Sequence, residues 1–389
     1  MAMISRDVVI IGGGISGAAA AYELARAGAS VTLAEKGALA GMASGWTLAG
    51  VRQSGRHPAE LPLATAAVRR WEHLADELGD DVGYRQEGNL RLARTPEEIP
   101  TIAQLVREQR AQGLEVEFLD GNAAVRAVAP ALADTIVAAS YCPSDGHADP
   151  VATVNAFVAA AQRHGATIRT GTKVTGLDTT GGRVRGVQTG DGAIAADAVV
   201  IAAGVHSDQL CSLVDLDLPI AVRLTGVVQT TPLPPLLRQV LGVANADFAG
   251  RQQVDGRLRM SGSGGEWRWP DQARELGPED VLPSMENVAG IITRGSAILP
   301  ALAGARLARV WAGLIDMTPD GLPVIERAPE IDGLVIAAGF SGHGFCLGPV
   351  TGRIVYELIT HGRSSLPIEA FRRARFAGVS VTAKAELHG

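Results

Sequence analysis

The segment Gly12-Gly13-Gly14-Ile15-Ser16-Gly17 spaces three glycines as G-x-G-x-x-G, and Glu35 follows 18 residues after the last of them. That spacing suits a dinucleotide. Gly12 permits a tight turn, Gly14 lets the backbone approach a pyrophosphate, and Gly17 allows a helix to close on the preceding strand. Unpaired N–H groups at a helix start attract phosphate charge. Glu35 can accept bonds from ribose hydroxyls and would repel a 2′-phosphate. Ile15 and Ser16 inside the loop, and Lys36 next to Glu35, complete the expected cofactor contacts.

In a chain with 47 glycines the pattern gains its weight from the elements around it. An apolar strand, Val8-Val9-Ile10-Ile11, runs into the glycines. An Ala-rich helical stretch over 15 to 27 leaves them, Gly28 caps it, and a second strand over 30 to 34 ends just before Glu35, so the unit reads as βαβ. Beyond this unit, His57 and His343 are candidates for acid–base work because imidazole titrates near neutrality. Cys346 reads as packing, since no base can be assigned to it.

The 389 residues exceed the usual size of one core, which predicts two domains or one domain with a large insertion. The texture alternates accordingly. Helical spacing over 60 to 78 gives way to short strand-like runs such as 88 to 93. A helix at 151 to 164 and a strand at 166 to 169 lead to the apolar run Ala198–Gly204, read as a doubly buried parallel strand. Pro-rich turns and strand-like pieces over 216 to 317 carry an antiparallel signature with one helix near 284 to 298. An apolar strand at 334 to 338 then precedes a helix at about 349 to 361. The expected organisation is α/β with α+β character: a Rossmann-like domain over 1–80, 148–215 and 325–376, interleaved with an antiparallel-sheet substrate domain over 81–147 and 216–324, and a loose tail over 377–389.

Composition narrows the function classes. With 47% hydrophobic and 20% charged residues the chain reads as globular. A net charge of -6 disfavours nucleic acid and anionic membranes, leaving small molecules as the default ligands. Three widely spaced cysteines without a CxxC pair support neither a disulfide framework nor a metal cluster and suit a reducing compartment. No apolar run nears the roughly 20 residues needed to span a bilayer, and the N-terminus lacks a signal-peptide core. A cytoplasmic location is expected.

Several segments resemble the D-amino-acid oxidase superfamily of flavoproteins. Residues 41 to 52, Gly-Met-Ala-Ser-Gly-Trp-Thr-Leu-Ala-Gly-Val-Arg, are similar to the stretch in which a Ser and its neighbours meet the FAD pyrophosphate and flavin, implying such roles for Ser44, Gly45 and Trp46. Ala202-Ala203-Gly204 resembles a second nucleotide motif, and Val174 resembles the adenine-facing strand. Trp311-Ala312-Gly313, Met317–Pro323 and Gly339–Phe345 are similar to the C-terminal signature of sarcosine oxidases, with Ile315-Asp316 nearest to the β subunit of the heteromeric forms. These segments occur in family order from residue 7 to about 376.

The resemblance implies FAD and the oxidation of an amine or amino acid, such as an N-alkyl amino acid, an opine or a D-amino acid. Hydride leaves the carbon attached to nitrogen for flavin N5, and the resulting imine hydrolyses. Gly342, His343, Gly344 and Phe345 would present N–H groups to the charge developing on the flavin. Gly313 stands where the covalently attached cysteine of some relatives falls, so FAD is expected to be non-covalent. Arg52 matches a substrate-binding arginine, and an Arg fork suits a carboxylate. Arg259 lies near the lysine that assists reaction with oxygen. Ile315 and Cys346 replace an Arg and a Lys that relatives use, leaving the usual carboxylate clamp incomplete. Oxygen or another electron acceptor, and partner subunits of a heteromeric complex, are expected partners. Two other readings remain open: an NAD-dependent dehydrogenase, which the segments at 41 to 52 and 339 to 345 disfavour, and a non-catalytic or electron-relay FAD subunit.

Overall fold

The structure, a computed structural model, describes residues 7–267 and 280–378. Its frame is a six-stranded sheet in the order Val324–Arg327, Leu334–Ala338, Ala198–Ile201, Asp7–Ile11, Ser30–Ala34, Thr167–Arg169. All neighbours run parallel except the first pair. The central strands are apolar on both faces because both faces are covered. Val8 and Ile10 point into a core shared with the flanking helices. Val9, Ile11, Val199 and Ile201 point into a second core beneath a three-stranded sheet of Val174–Thr180, Arg183–Thr189 and Gly192–Ala195.

Two helices lie side by side on the first of these cores, Ile15–Arg26 and Gly344–His361. Small residues set their spacing: a side chain on Gly348 would run into Ile15, and one on Gly352 into Ala19. The second helix begins at Gly344, five residues before the expected start. Pro349 falls in its second turn, where a proline removes only one backbone bond, so the helix accommodates it. Gly344 and Phe345 therefore belong to its first turn.

The second layer is an eight-stranded sheet ordered Leu307–Met317, Ala221–Thr230, Leu258–Glu266, Ala249–Gln252, Val240–Val243, Asn89–Ala93, Ala138–Cys142, Glu117–Asp120. One pair departs from the antiparallel expectation: Val240–Val243 runs parallel to Asn89–Ala93. These strands come from separate visits of the chain, so no hairpin turn dictates their direction. Leu90, Leu92, Val228, Leu241, Leu258 and Met260 bury one face of this sheet, where the helix Met285–Ile298 also packs. The opposite face carries Asn89, Arg91, Gly242, Ser261 and Gly313 and looks toward the first sheet. Among the described residues no helix is long and apolar enough to cross a membrane.

Candidate cofactor and substrate site

A cavity of about 860 Å³ lies between the two sheets, within the size range of small-molecule and cofactor sites. Both helix N-termini open onto it. Gly14 caps the first without a side-chain bond, no acidic residue occupies its first turn, and the same holds for His343 before the second. Each terminus thus presents backbone N–H groups and positive potential to one space.

The glycine loop earns its spacing through close approaches. A side chain on Gly12 would strike the Ala202 carbonyl, and Gly12 holds φ +115°, a conformation that L side chains rarely adopt. One on Gly17 would strike the Gly12 carbonyl, and one on Gly14 would come within 2.9 Å of Ser44 Oγ. That hydroxyl accepts a bond from Ile15 N at 3.0 Å. Glu35 accepts from Gly13 N at 2.6 Å and Gly37 N at 2.7 Å, which fixes its carboxylate beside the loop.

Of the residues expected to bind the cofactor, Gly12, Gly14, Ile15, Ser16, Glu35, Lys36, Ser44, Trp46, Val174, Ala203, Gly204, Gly342, His343, Gly344 and Phe345 line the cavity. Gly17 and Gly45 do not. They stand behind it, packed over the carbonyls of Gly12 and Ala40, where a side chain would not fit. The lining fits FAD: backbone cradles without Cβ atoms where phosphates need close approach, a carboxylate beside them for ribose, and a second helix N-terminus farther along. Gly313 occupies the sheet wall beside Trp46.

The segment from Trp46 to Leu48 is held by the second sheet through its carbonyls. Trp311 Nε1 donates to Trp46 O at 3.2 Å, Arg259 Nη1 to Thr47 O at 3.1 Å, and Arg251 Nε to Leu48 O. Arg259 also donates to Gln253 Oε1 at 2.8 Å and lies over the Trp311 ring. It is not among the residues lining the cavity, so its bonds make it a positioning residue for the segment. His57 is exposed, accepting a bond from Ala59 N.

Arg52 lines the cavity, and among the described residues nothing accepts a hydrogen bond from its guanidinium. Burial and the neighbouring Arg56 lower its pKa to about 10, so it stays charged near neutral pH. Its carbonyl accepts from Arg56 Nε at 3.2 Å and from Cys346 Sγ at 3.3 Å. Burial raises the Cys346 thiol to about 11, so it is no ready thiolate. Glu60, fully buried, pairs with His343 Nδ1 at 2.9 Å and Arg56 Nε at 3.6 Å. Burial pushes its carboxyl up, but the charges of His343 and Arg56 outweigh that and hold it below its ordinary value.

Asp316 at the cavity wall accepts from Gly339 N at 2.7 Å and Phe340 N at 3.4 Å, shaping the turn before the second helix. Burial raises its pKa to about 6.

Arg56, Glu60, Asn89 and Arg91 were missed from sequence. The alternation Asn89-Leu90-Arg91-Leu92 was the available signal, because a period of two puts both polar side chains on one face and both leucines in the core. Nothing in the spacing says that this face meets Arg52.

An interleaved two-sheet architecture with a dinucleotide cradle and a cationic pocket defines a flavin-type oxidoreductase. The model of the family described as FAD dependent oxidoreductase (DAO) matches residues 7–358, and the chain belongs to that family. It is similar to the sarcosine oxidase subunit beta of Rhizobium meliloti (strain 1021), 28% identical over 379 residues that cover 95% of this chain and 88% of the relative. Similarity to the glycine oxidase of Geobacillus kaustophilus (strain HTA426) is 29% over 385 residues, 96% of this chain and 97% of that one. Among solved structures, the L-proline dehydrogenase from P. horikoshii superposes with a TM-score of 0.87 at 29% identity, covering 98% of this chain and all of the other.

Proposed function

We propose that this protein oxidises the carbon–nitrogen bond of an amine or amino acid whose carboxylate is held by Arg52. The observation that carries this reading is the Arg52 guanidinium, charged, facing the cavity and without a hydrogen-bonding partner among the described residues. A half-buried cation facing an enclosed space gains free energy when an anion joins it, and a substrate carboxylate matches the planar fork. The glycine oxidase and sarcosine oxidase subunit among the relatives support an amine or amino acid as the substrate class.

When bound, FAD supplies the hydride acceptor, and the imine left on the substrate is hydrolysed by water. The chain's own part is orientation. Arg52 fixes the carboxylate end, and Glu60 holds His343 at the head of the second helix. Asp316 orders the Gly339–Phe340 turn beside it. Electrons then leave to oxygen or another acceptor, in this chain alone or together with partner subunits. FAD is held without a covalent bond, as Gly313 leaves no thiol to attach it. Non-catalytic electron relay does not account for the open cation.

The test is anaerobic mixing of the yellow protein with a panel of N-alkyl amino acids, D-amino acids and L-amino acids. Bleaching of the flavin by at least one carboxylate-bearing amine is expected, and a panel that leaves the spectrum unchanged overturns the reading.

A further inference from the structure

Asn89 is a buried polar side chain in the wall of the cavity, and the fold uses only one end of its amide. It is 3% exposed and lines the cavity from the second sheet. Across the sheet it pairs with Val240, and the neighbouring wall residues Val240, Leu241 and Gly242 add no polar side chain. An amide in such a wall costs free energy unless both of its ends are bonded.

The nitrogen end is accounted for. Asp145 accepts from Gln53 N at 2.8 Å, Ser54 N at 3.2 Å and the Ser54 hydroxyl. That hydroxyl has a single proton, so once Asp145 takes it the Ser54 oxygen can only accept. Asn89 therefore turns its Nδ2 to Ser54 Oγ, at 3.5 Å, and leaves its Oδ1 for another partner. Among the described residues nothing donates to that oxygen, and the cavity lies beside it. A flipped amide would set oxygen against oxygen. Asn89 is thus held as an acceptor.

We propose that Asn89 determines specificity by accepting a hydrogen bond from the N–H of the substrate's amine, so that primary and secondary amines are preferred over tertiary ones. The inference rests on the carbon–nitrogen reading for the identity of the donor. Arg52 and Arg56 also line the cavity, and guanidinium groups only donate, so neither can receive an N–H. Asp316, a second acceptor on the wall, is bonded to Gly339 N and Phe340 N. The positive charge of the arginines disfavours an ammonium, and an amine gives up hydride as the free base, whose lone pair must stay open. A neutral carbonyl suits that form. It takes the N–H, adds no charge that would keep a further proton on the nitrogen, and leaves the lone pair free. A tertiary free base has no N–H and would leave Oδ1 unbonded in an apolar wall, the kind of mismatch that discriminates strongly.

Three isosteric carboxylates read the acceptor without reducing the flavin. Pyrrole-2-carboxylate carries an N–H beside its carboxylate, furan-2-carboxylate an oxygen and thiophene-2-carboxylate a sulfur. Their binding to the FAD-loaded protein is read from perturbation of the oxidised flavin spectrum. In the wild type the pyrrole is expected to bind at least about tenfold more tightly than the furan, the scale of one buried hydrogen bond. In Asn89→Leu that ratio falls toward one while thiophene binding holds. Ser54→Ala lets the amide flip, so the ratio narrows there through tighter furan binding, which a loss of packing would not produce. Visible flavin absorbance checks integrity, and if Asn89→Leu retains no flavin, Ser54→Ala decides. Equal binding of pyrrole and furan in the wild type overturns the inference, as does a ratio unchanged in the deciding variant. If no amine bleaches the flavin while the three carboxylates behave as expected, the oxidation reading fails and Asn89 stands as the acceptor for an N–H ligand. Amines that bleach it while pyrrole and furan bind alike leave that reading intact and overturn this one.

Discussion

The two ends of the cavity recognise their ligands by opposite means. At the cofactor end, recognition is done by backbone: Gly12, Gly14 and Gly17 remove side chains so that N–H groups and a helix terminus can come close. At the substrate end it is done by long side chains, Arg52 and Arg56, which bring charge to the cavity wall. A site built from missing atoms fails when atoms are added. One built from charges fails when they are removed.

The largest effect is expected at the first end. In Gly17→Val the new side chain collides with the Gly12 carbonyl, and a backbone clash cannot be relieved by a rotamer change. Little soluble protein and no bound flavin should be recovered. Gly14→Val meets only the Ser44 hydroxyl, so it should fold yet lose FAD. Far-ultraviolet circular dichroism with flavin content distinguishes them, and full flavin in either variant breaks the backbone account.

Arg52→Ala comes next. Removing the charged partner of a buried carboxylate costs about 2 to 5 kcal/mol, or roughly 30- to 5,000-fold in substrate-dependent flavin reduction. Flavin content should not change. Arg52→Lys should recover little, because an ammonium lacks the fork. Anaerobic reduction against substrate concentration is the measurement, and unchanged kinetics in both variants would place Arg52 outside the substrate site.

A smaller, pH-dependent effect sharpens the boundary between the two ends at Asp316. Its folded pKa of about 6 lies above the ordinary carboxyl value, so the folded state holds the proton more tightly than the unfolded one. Its stabilising contribution is therefore full below about pH 4 and is lost as pH rises through about 6. The swing is on the order of 2 to 3 kcal/mol. Asp316→Asn should flatten that fall, seen as a melting-temperature difference from wild type that grows in the variant's favour between pH 4 and 6. Parallel melting curves would show that the carboxyl titrates normally.

The least effect is expected at Gly313. A Cβ there reaches the Trp46 ring at 3.4 Å, an ordinary contact, so Gly313→Ala should retain flavin with a stability change under about 1 kcal/mol. Acid denaturation of the wild type should release all of its FAD. Flavin remaining on the precipitated chain would contradict non-covalent binding.

This contrast also explains what could be read in advance. The cradle was legible because its chemistry is local: three glycines, a flanking strand and helix, and Glu35 lie within one stretch of chain. Ser44, Trp46 and the Gly342–Phe345 turn came from resemblance rather than physics. The substrate end is assembled from residues 52 to 60, Asn89 and 343 to 345, and no periodicity announces that a loop, a strand and a helix start will meet. Arg259 shows the same limit from the other side. Its place in the chain suggested chemistry, whereas in the fold it ties down Thr47 and stacks on Trp311. The second helix starts before the expected 349 because its first turn is the Gly344–Phe345 end of the glycine-rich turn, and Pro349 in the second turn breaks little.

The contact of Gly348 with Ile15 and of Gly352 with Ala19 bears on how long a cofactor stays. With the two helices locked together, their N-termini cannot draw apart to let a bound molecule go. The segment at 46 to 48 is pinned by Trp311, Arg259 and Arg251. The stretch from Gly37 to Gly45 is tied to the glycine loop by single bonds, Ala40 N to Gly13 O at 3.0 Å and Ile15 N to Ser44 Oγ at 3.0 Å, and Ala40 holds the left-handed φ of 54° that costs an alanine free energy. Residence time is then a property of those nine residues. Hydrogen exchange that slows there on FAD loading, more than along either helix, is its observable sign.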